Sequence, residues 1–192
     1  SQVNFPTALT GTCRYDNIIQ VDTDNEGAAE KMTTLLIGKG FRRFAFLVKN
    51  MSYNVDRKRH EGFCRALIKN GISEKDQLFY NGSIRMEFLD AIIENIISKK
   101  VECIICGDDE ICTMVMSRLQ AEGYRIPKDV AIASLYNSTN LDCYSPAVTA
   151  VSVAASQMGG AAVRQLIQRL RGENYEKKTM LDYDILFRKS TN

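Results

Sequence analysis

The stretch that decides the fold is residues 101–109, VECIICGDD. It begins with a run of largely apolar residues, 101–106, and Gly107 then interrupts that run before two aspartates. An apolar segment of this length, bounded by a turn residue, is typical of a strand that is covered on both faces, as in parallel sheets. Helical periodicity follows over 109–121. This strand–turn–helix unit predicts an α/β fold.

The same alternation continues on both sides of this unit. Further strands are predicted at 44–48, 78–80, 130–135 and 180–187, with shorter extended candidates at 5–10 and 17–21. Helices are predicted over 25–36, after a cap at Asp56, over 86–97, over 109–121 and over 152–170. Strand–helix–strand units in this order predict a doubly wound parallel sheet with helices on both faces. The segments before 21 and over 152–171 offer too little material for a second independent core.

The composition is that of an ordinary globular protein. Of 192 residues, 45% are hydrophobic and 25% are charged, and the formal net charge is +2. The basic residues occur in scattered pairs and are not gathered on one segment, which indicates solvated faces. No apolar run approaches the roughly 20 residues of a membrane span, and the first six residues lack a signal pattern. The six cysteines lie mostly in apolar segments, so we predict a cytoplasmic protein with reduced thiols.

Catalytic and metal-binding motifs are weak in this sequence. His60 is the only histidine, and no serine or cysteine nucleophile motif lies beside it. Neither the dinucleotide nor the phosphate-loop glycine pattern occurs, and 38–40 is a helix stop before a strand. Cys103 and Cys106 have a C-x-x-C spacing, but they lie in a predicted strand, where neighbouring side chains alternate faces, so a shared metal is disfavoured. Residues 108–110 could bind magnesium, although a capped helix start explains the same carboxylates. We therefore predict no enzyme activity, no cofactor and no metal site.

A binding site is predicted at the carboxyl ends of the strands. In open α/β sheets ligands bind beyond these ends, so the residues that follow each strand are the candidates. They are Met51, Ser52, Tyr53, Asn54 and Arg59 after the first buried strand, Asn81 and Ser83 after the second, Asp108 and Asp109 after the third, and Tyr136, Asn137 and Ser138 after the fourth. A guanidinium, carboxylates, amides and a phenol suit a polyhydroxylated ligand. Alternatively, Asp108, Asp109 and Asn137 only cap helices and turns.

Five motifs occur in order along nearly the whole chain. They are VDTDNEG at 21–27 with LIGKGFRRFAF at 36–46, RHEGF at 59–63 with Ala66 and Leu67, CGDD at 106–109, GYRIPKDVAI at 123–132 and PAVTAV at 146–151. These residues resemble five motifs of the LacI/GalR-family transcription regulators, which are V-x-x-D-N-x-x-G with L-x-x-x-G-H-x-x-I-A, R-x-x-G-F-x-x-A-L, C-x-N-D, G-x-R-I-P-x-D-V-x-I and P-x-L-T-T-I. The segment containing arginine, isoleucine and proline is the most specific of them.

The resemblance implies a periplasmic-binding-protein-like type I fold. In this α/β fold two Rossmann-like lobes close on a small-molecule effector, usually a sugar or a nucleobase-like compound. The C-terminal lobe, a doubly wound parallel sheet, would be complete and the N-terminal lobe largely missing. The implied boundaries are 1–21 for a fragment of the N-terminal lobe, 22–148 for the C-terminal lobe, 149–173 for a crossover and helix of the N-terminal lobe, and 174–192 for the return to the C-terminal lobe.

The resemblance also implies roles for individual residues. The family's ligand-binding arginine falls on Arg59, its asparagine or aspartate after the third strand on Asp108, and pocket-lining positions on Tyr53 and Val55. Tyr136 replaces the family's usual effector-binding aspartate, which favours a different ligand class or weaker binding there. We expect Arg59 to lie at the crevice rather than in the core, so that its loss changes stability little. The predicted effector site is Tyr53, Val55, Arg59, Ser83, Asp108, Tyr136 and Asn137.

The implied partners are those of a DNA-binding regulator. They are a small-molecule effector, a second copy in a homodimer, and operator DNA through a helix-turn-helix headpiece absent from this chain, with no membrane partner. An extracytoplasmic sugar-binding receptor of the same architecture is the alternative, which the free cysteines and the segment around 125–127 disfavour. A hydrolase-like or phosphotransfer enzyme is a third hypothesis, which the missing nucleophile motif disfavours.

Overall fold

The computed structural model describes residues 5–82 and 86–192. Its strands are β1 (Ala8–Thr10), β2 (Ile19–Thr23), β3 (Phe44–Val48), β4 (Leu78–Asn81), β5 (Cys103–Cys106), β6 (Ala131–Ser134), β7 (Thr149–Val153), β8 (Lys178–Leu181) and β9 (Tyr183–Leu186). Its helices are α1 (Asn25–Gly38), α2 (Asn54–Lys69), α3 (Met86–Ser98), α4 (Asp109–Ala121), α5 (Thr139–Cys143) and α6 (Ala155–Leu170), with 3₁₀ turns at Glu74–Asp76 and Lys189–Thr191. The predicted α/β class is confirmed.

The larger unit comprises Asn25–Ser152 and Asp184–Asn192, of which residues 83–85 are not described. Within the described part of the chain its sheet has the strand order β4-β3-β5-β6-β7-β9, and β3 through β7 pair in parallel. Every residue of β3, β5 and β6 is buried. Burial of consecutive residues requires cover on both faces, which agrees with the continuous apolar runs of these strands.

The smaller unit contains the described residues up to Asp24 together with Val153–Tyr183. Its sheet has the order β1-β2-β8, and both pairings are parallel. Helix α6 packs on this sheet, where Ala161 and Ala162 contact Ile19 and Val21. The small alanine side chains let the helix lie close to the strands and bury the two β-branched residues.

The structure differs from the predicted elements mainly in the last third of the chain. Residues 149–153 form strand β7, so the helix predicted from 152 begins only at Ala155. The strand predicted over 180–187 is two strands, of which β8 pairs with β2 and β9 belongs to the other sheet. The two compact units change at 24/25, 152/153 and 183/184, and the predicted lobe boundaries at 21/22, 148/149 and 173/174 stay a prediction. The assignment of these units to the lobes of the family fold stays a prediction.

Helices α1 and α2 approach each other closely at Gly62. A Cβ atom added there would lie 2.0 Å from the carbonyl oxygen of Glu26 and 3.0 Å from the backbone nitrogen of Glu30. Ion pairs flank this contact, with Lys58 and Arg65 both bound to the carboxylate of Glu26. The glycine of the R-x-x-G-F motif therefore permits a close helix–helix packing that no larger residue allows.

Ser190 and Thr191 are buried and bond to strands of the larger sheet. The Ser190 hydroxyl donates to the carbonyl oxygen of Ile132 (2.6 Å) and accepts from the backbone N–H of Thr149 (2.8 Å). The hydroxyl of Thr191 lies 2.7 Å from that of Thr149. Because Ile132 is in β6 and Thr149 in β7, Ser190 ties the two strands together.

We expect Ser190→Ala to lower the free energy of unfolding by about 1–3 kcal/mol, because it leaves a buried N–H and a buried carbonyl without their partner. Urea denaturation measures the change. Ser98→Ala is the matched control, since the Ser98 hydroxyl only donates to the Asn95 carbonyl on an exposed surface. Equal effects of the two substitutions would contradict the prediction.

No helix in the described ranges combines the length and the apolar character needed to cross a bilayer.

Candidate functional site

The predicted site residues come from segments that follow neighbouring parallel strands. Strands β3, β5 and β6 lie side by side, so their carboxyl ends share one edge of the sheet. We call this the carboxyl edge, formed by the residues that follow β3, β5 and β6. Asp108 follows β5, Tyr136 and Asn137 follow β6, and Arg59 lies in the second turn of α2 after β3.

Arg59 is buried at the carboxyl edge, with 8% of its surface exposed. Its Nη1 donates to the carbonyl oxygen of Gly107 (2.6 Å), and its Nε donates to Oδ1 of Asn25 (3.1 Å). Gly107 is the residue between β5 and Asp108, so these contacts place the guanidinium next to the Asp108 turn. Arg59 is therefore more deeply buried than predicted, because its hydrogen bonds replace those that water would supply.

Asp108 caps helix α4. Its Oδ1 accepts from the backbone N–H of Ile111 (2.9 Å), and its Oδ2 pairs with Nζ of Lys49 (2.8 Å). Burial lowers the pKa of Lys49, but hydrogen bonds to Asp108 and Glu110 outweigh it and raise that pKa overall. The capping role considered for Asp108 is thus confirmed. Each carboxylate oxygen has more than one lone pair, so capping leaves Asp108 able to accept a further hydrogen bond.

Tyr136 and Asn137 lie in the turn after β6. The Ser134 hydroxyl donates to the carbonyl oxygen of Tyr136 (2.6 Å), and the Tyr136 N–H lies 3.3 Å from that hydroxyl oxygen. Oδ1 of Asn137 accepts from Nη1 of Arg188 (2.9 Å). Arg188 was not among the predicted site residues, although it directly follows the predicted last strand, 180–187. The rule applied to the parallel strands does not select it, because its backbone lies beside Thr149, at the start of β7.

The remaining predicted residues lie at the start of α2 or outside the described residues. Tyr53 precedes the helix and is 56% exposed, and Val55 is half-buried in the first turn. Ser83 falls outside the described residues. The structure thus brings Arg59 to the turn before Asp108, and it leaves Tyr53 on the surface.

The prediction that Asp56 caps α2 is wrong. The helix begins at Asn54, and Asp56 is buried in its first turn, where Oδ2 accepts from the backbone N–H of Asn50 (2.9 Å). Oδ1 of Asn50 in turn accepts from the N–H of Ser52 (2.9 Å). Asp56 therefore stabilises the loop that leads into the helix, because that loop has backbone donors without a partner in a regular element.

Two open hollows lie at the opposite, amino edge of the same sheet, with volumes of about 710 Å³ and 600 Å³. Their basic lining residues are Arg42, Arg43, Lys75, Lys99, Lys100 and Lys128. Helices α1, α2 and α3 end just before these segments, and Nη1 of Arg42 donates to the Ile37 carbonyl in the last turn of α1 (2.7 Å). A basic side chain in this position offsets the partial negative charge of the helix C-terminus.

The ring of His60, next to Arg59 in the motif, packs among aromatic side chains. Its centroid lies 4.3 Å from that of Phe79 and 5.8 Å from that of Phe46. Burial lowers the pKa of His60, and the carboxylates of Glu74 and Glu61 oppose this effect only in part. The ring is therefore held in its neutral form and serves packing.

We expect the free energy of unfolding to decrease as pH falls from about 7.5 to 5.5. The pKa of His60 is lower in the folded than in the unfolded protein, so the unfolded state binds more protons in this range and stability rises with pH. The stabilisation is thus present above the unfolded pKa and is lost as pH falls. Urea denaturation at several pH values measures the slope. His60→Gln should flatten it, and an unchanged slope in that variant would overturn the assignment.

The comparisons with known proteins identify the family of the chain. Residues 33–191 match the family described as periplasmic binding protein-like domain. The regulator CelR of Thermobifida fusca is 26% identical over 178 residues, which cover 91% of this chain and 52% of that protein. The crystal structure of the transcription regulator CcpA of Lactococcus lactis has a TM-score of 0.88 at 26% identity and covers 97% of this chain and 70% of that one.

A solved complex of the regulator CelR with cellobiose has a TM-score of 0.82 at 25% identity and covers 96% of this chain and 57% of that one. The chain spans about half the length of the curated regulator CelR. The family model covers most of the chain, and the predicted resemblance to LacI-type regulators is confirmed. The chain therefore belongs to the periplasmic binding protein-like domain family, with LacI-type transcription regulators as its relatives.

Proposed function

We propose that this chain is the effector-binding part of a LacI/GalR-type transcription regulator and that the effector binds at the carboxyl edge. The observation that carries the proposal is the buried guanidinium of Arg59, hydrogen-bonded to the turn before Asp108. A charged group at this edge, held in place by hydrogen bonds to Gly107 and Asn25, is suited to holding a polar ligand in a defined orientation. The similarity to regulators, one of them in complex with cellobiose, supports the same function.

The effector is a sugar or a related polar metabolite. The side chains available at the carboxyl edge are the guanidinium of Arg59, the carboxylate of Asp108, the phenol of Tyr136 and the amide of Asn137. A phenol donates one hydrogen bond and offers an aromatic face, whereas an aspartate accepts from two hydroxyls at once. Tyr136 therefore favours a ligand with an acceptor or a flat face at that position over one with a pair of hydroxyls.

A ligand screen on the intact regulator tests this proposal. The panel contains neutral mono- and disaccharides, sugar phosphates and purine bases, with unfolding temperature and calorimetry as readouts. We expect at least one compound to bind, and Tyr136→Asp to shift the preference toward neutral sugars. Lys99→Gln, at the amino edge, is the control and should leave binding unchanged. Binding that Lys99→Gln weakens and Tyr136→Asp does not would place the ligand elsewhere, and binding of none of the compounds would count against an effector role.

The same proposal includes the location, the assembly and the DNA contact of the regulator. The regulator acts in the cytoplasm as a homodimer and contacts operator DNA through a separate headpiece, without a cofactor and without enzyme activity. Support comes from the regulator relatives and from the six cysteines, all of which are free. Sedimentation of the intact protein tests assembly, and a monomer at high concentration would contradict it. Export of the protein to the cell surface would instead support the sugar-receptor alternative.

A further inference from the structure

We propose that Arg188 is a positioning residue of the effector site. Its guanidinium donates to the amide oxygen of Asn137, so that Asn137 presents N–H donors, and not an acceptor, to the ligand. This inference rests on the proposed function, because it assigns a role to Arg188 in the site at the carboxyl edge.

Arg188 joins three separate segments of the larger unit. Its Nη1 donates to Oδ1 of Asn137 after β6 (2.9 Å) and to the carbonyl oxygen of Val148 before β7 (2.5 Å), and its Nη2 pairs with Asp142 in α5. The side chain is 16% exposed. Its backbone N–H also donates to the hydroxyl of Thr149 (3.0 Å), which fixes the position of the Arg188 main chain beside these three segments.

The orientation of the Asn137 amide follows from the chemistry of its partner. A guanidinium has five N–H donors and no acceptor, so the group that faces it must be the carbonyl oxygen of the amide. The nitrogen of the same amide then points away from Arg188 with two donors. An asparagine without such a partner can turn either its amide oxygen or its NH₂ group toward a ligand. Arg188 therefore fixes one of these two orientations.

The guanidinium is suited to this role in a way that lysine is not. Its planar fork reaches Asn137, Val148 and Asp142 at the same time, and the carboxylate of Asp142 balances its charge. The ammonium of lysine is a single point of charge and cannot bind all three groups in fixed directions. Donors at Asn137 and at Arg59 favour an effector whose facing atoms are hydrogen-bond acceptors.

Two variants of the intact regulator test the proposal. Asn137→Asp keeps an oxygen for Arg188 but removes both amide donors. Arg188→Lys keeps the charge but loses the planar guanidinium group with its several N–H donors. Arg125→Lys is the control, since Arg125 makes a similar forked pair with Asp129 in an exposed loop (2.6 and 2.9 Å). The readouts are the dissociation constant of whichever compound of the panel binds the wild type, the unfolding temperature, and the NMR signals of the Asn137 side-chain NH₂ group.

We expect Asn137→Asp to weaken ligand binding at least tenfold without lowering the unfolding temperature, because a charged acceptor strengthens the bond to Arg188. We expect Arg188→Lys to shift the NH₂ signals of Asn137 and to weaken binding, and Arg125→Lys to do neither. Unchanged affinity in Asn137→Asp would overturn the donor role, and unchanged NH₂ signals in Arg188→Lys would overturn the positioning role. If no compound binds the wild type, the proposed function fails, whereas the NMR comparison still decides whether Arg188 orients Asn137.

Discussion

Replacing Gly62 by alanine is expected to lower the free energy of unfolding by about 3 kcal/mol, the upper end of the usual range for overpacking. The new Cβ would lie 2.0 Å from the carbonyl oxygen of Glu26, far inside van der Waals contact. The obstructing atoms belong to the backbone of α1 and cannot rotate away. Relief requires α1 and α2 to separate, which would stretch the pairs of Glu26 with Lys58 and Arg65.

Urea denaturation of Gly62→Ala measures this loss, and Gly38→Ala is its control. Gly38 is the last residue of α1, and a Cβ added there meets no atom within 4 Å. Alanine is the better helix former, so Gly38→Ala should change stability by less than about 1 kcal/mol, in the stabilising direction. Equal stabilities of the two variants would show that α1 and α2 can separate without loss of free energy of unfolding, which would contradict the prediction.

Replacing Arg59 by methionine is expected to affect both stability and ligand binding. The buried carbonyl of Gly107 and the amide oxygen of Asn25 both lose a hydrogen bond from Arg59, which costs about 1–3 kcal/mol of the free energy of unfolding. This revises the prediction from sequence that stability changes little, because the structure buries Arg59. Effector affinity should fall as well, by roughly 2–5 kcal/mol if the ligand group is charged and by less if it is neutral.

Arg57→Met is the matched control for this substitution. Arg57 lies in the same helix but is exposed and pairs with Glu61 one turn away (2.8 Å). Such exposed pairs stabilise by only about 0.3–0.5 kcal/mol, so Arg57→Met should leave stability and binding nearly unchanged. Calorimetry with and without ligand separates the two effects. An Arg59→Met protein with lowered stability but full ligand affinity would make Arg59 only an internal brace.

Much of the fold could be predicted from local patterns. Strands β3, β5 and β6 are continuous apolar runs between turn residues, and α4 has the predicted bounds, Asp109–Ala121. Strand β7 and the short helix α5 could not be predicted in the same way. The bounds of β7 are set by its pairing with β6, a long-range contact, and five residues of α5 are too few to show a helical period.

The sequence predicted the positions of the candidate site residues but not their contacts. The rule that ligands bind beyond strand ends placed Arg59, Asp108 and Asn137 at one edge, where the structure has them. The sequence does not show that Gly107 accepts from Arg59 or that Asn137 accepts from Arg188. These partners are far apart along the chain, and only the folded sheet brings them together.

The pairing of β2 with β8 has a consequence for the order of folding. Residue 20 pairs with residue 178, and nearly all of the larger unit lies between them along the chain. The entropy lost on closing a loop grows with its length, so a strand pair this remote forms slowly while the intervening chain is unfolded. The larger unit is built mainly from neighbouring strand–helix–strand segments, so it can fold before β2 pairs with β8. Refolding should therefore proceed in two steps, in which the larger sheet gains protection from hydrogen exchange before β2 and β8 do.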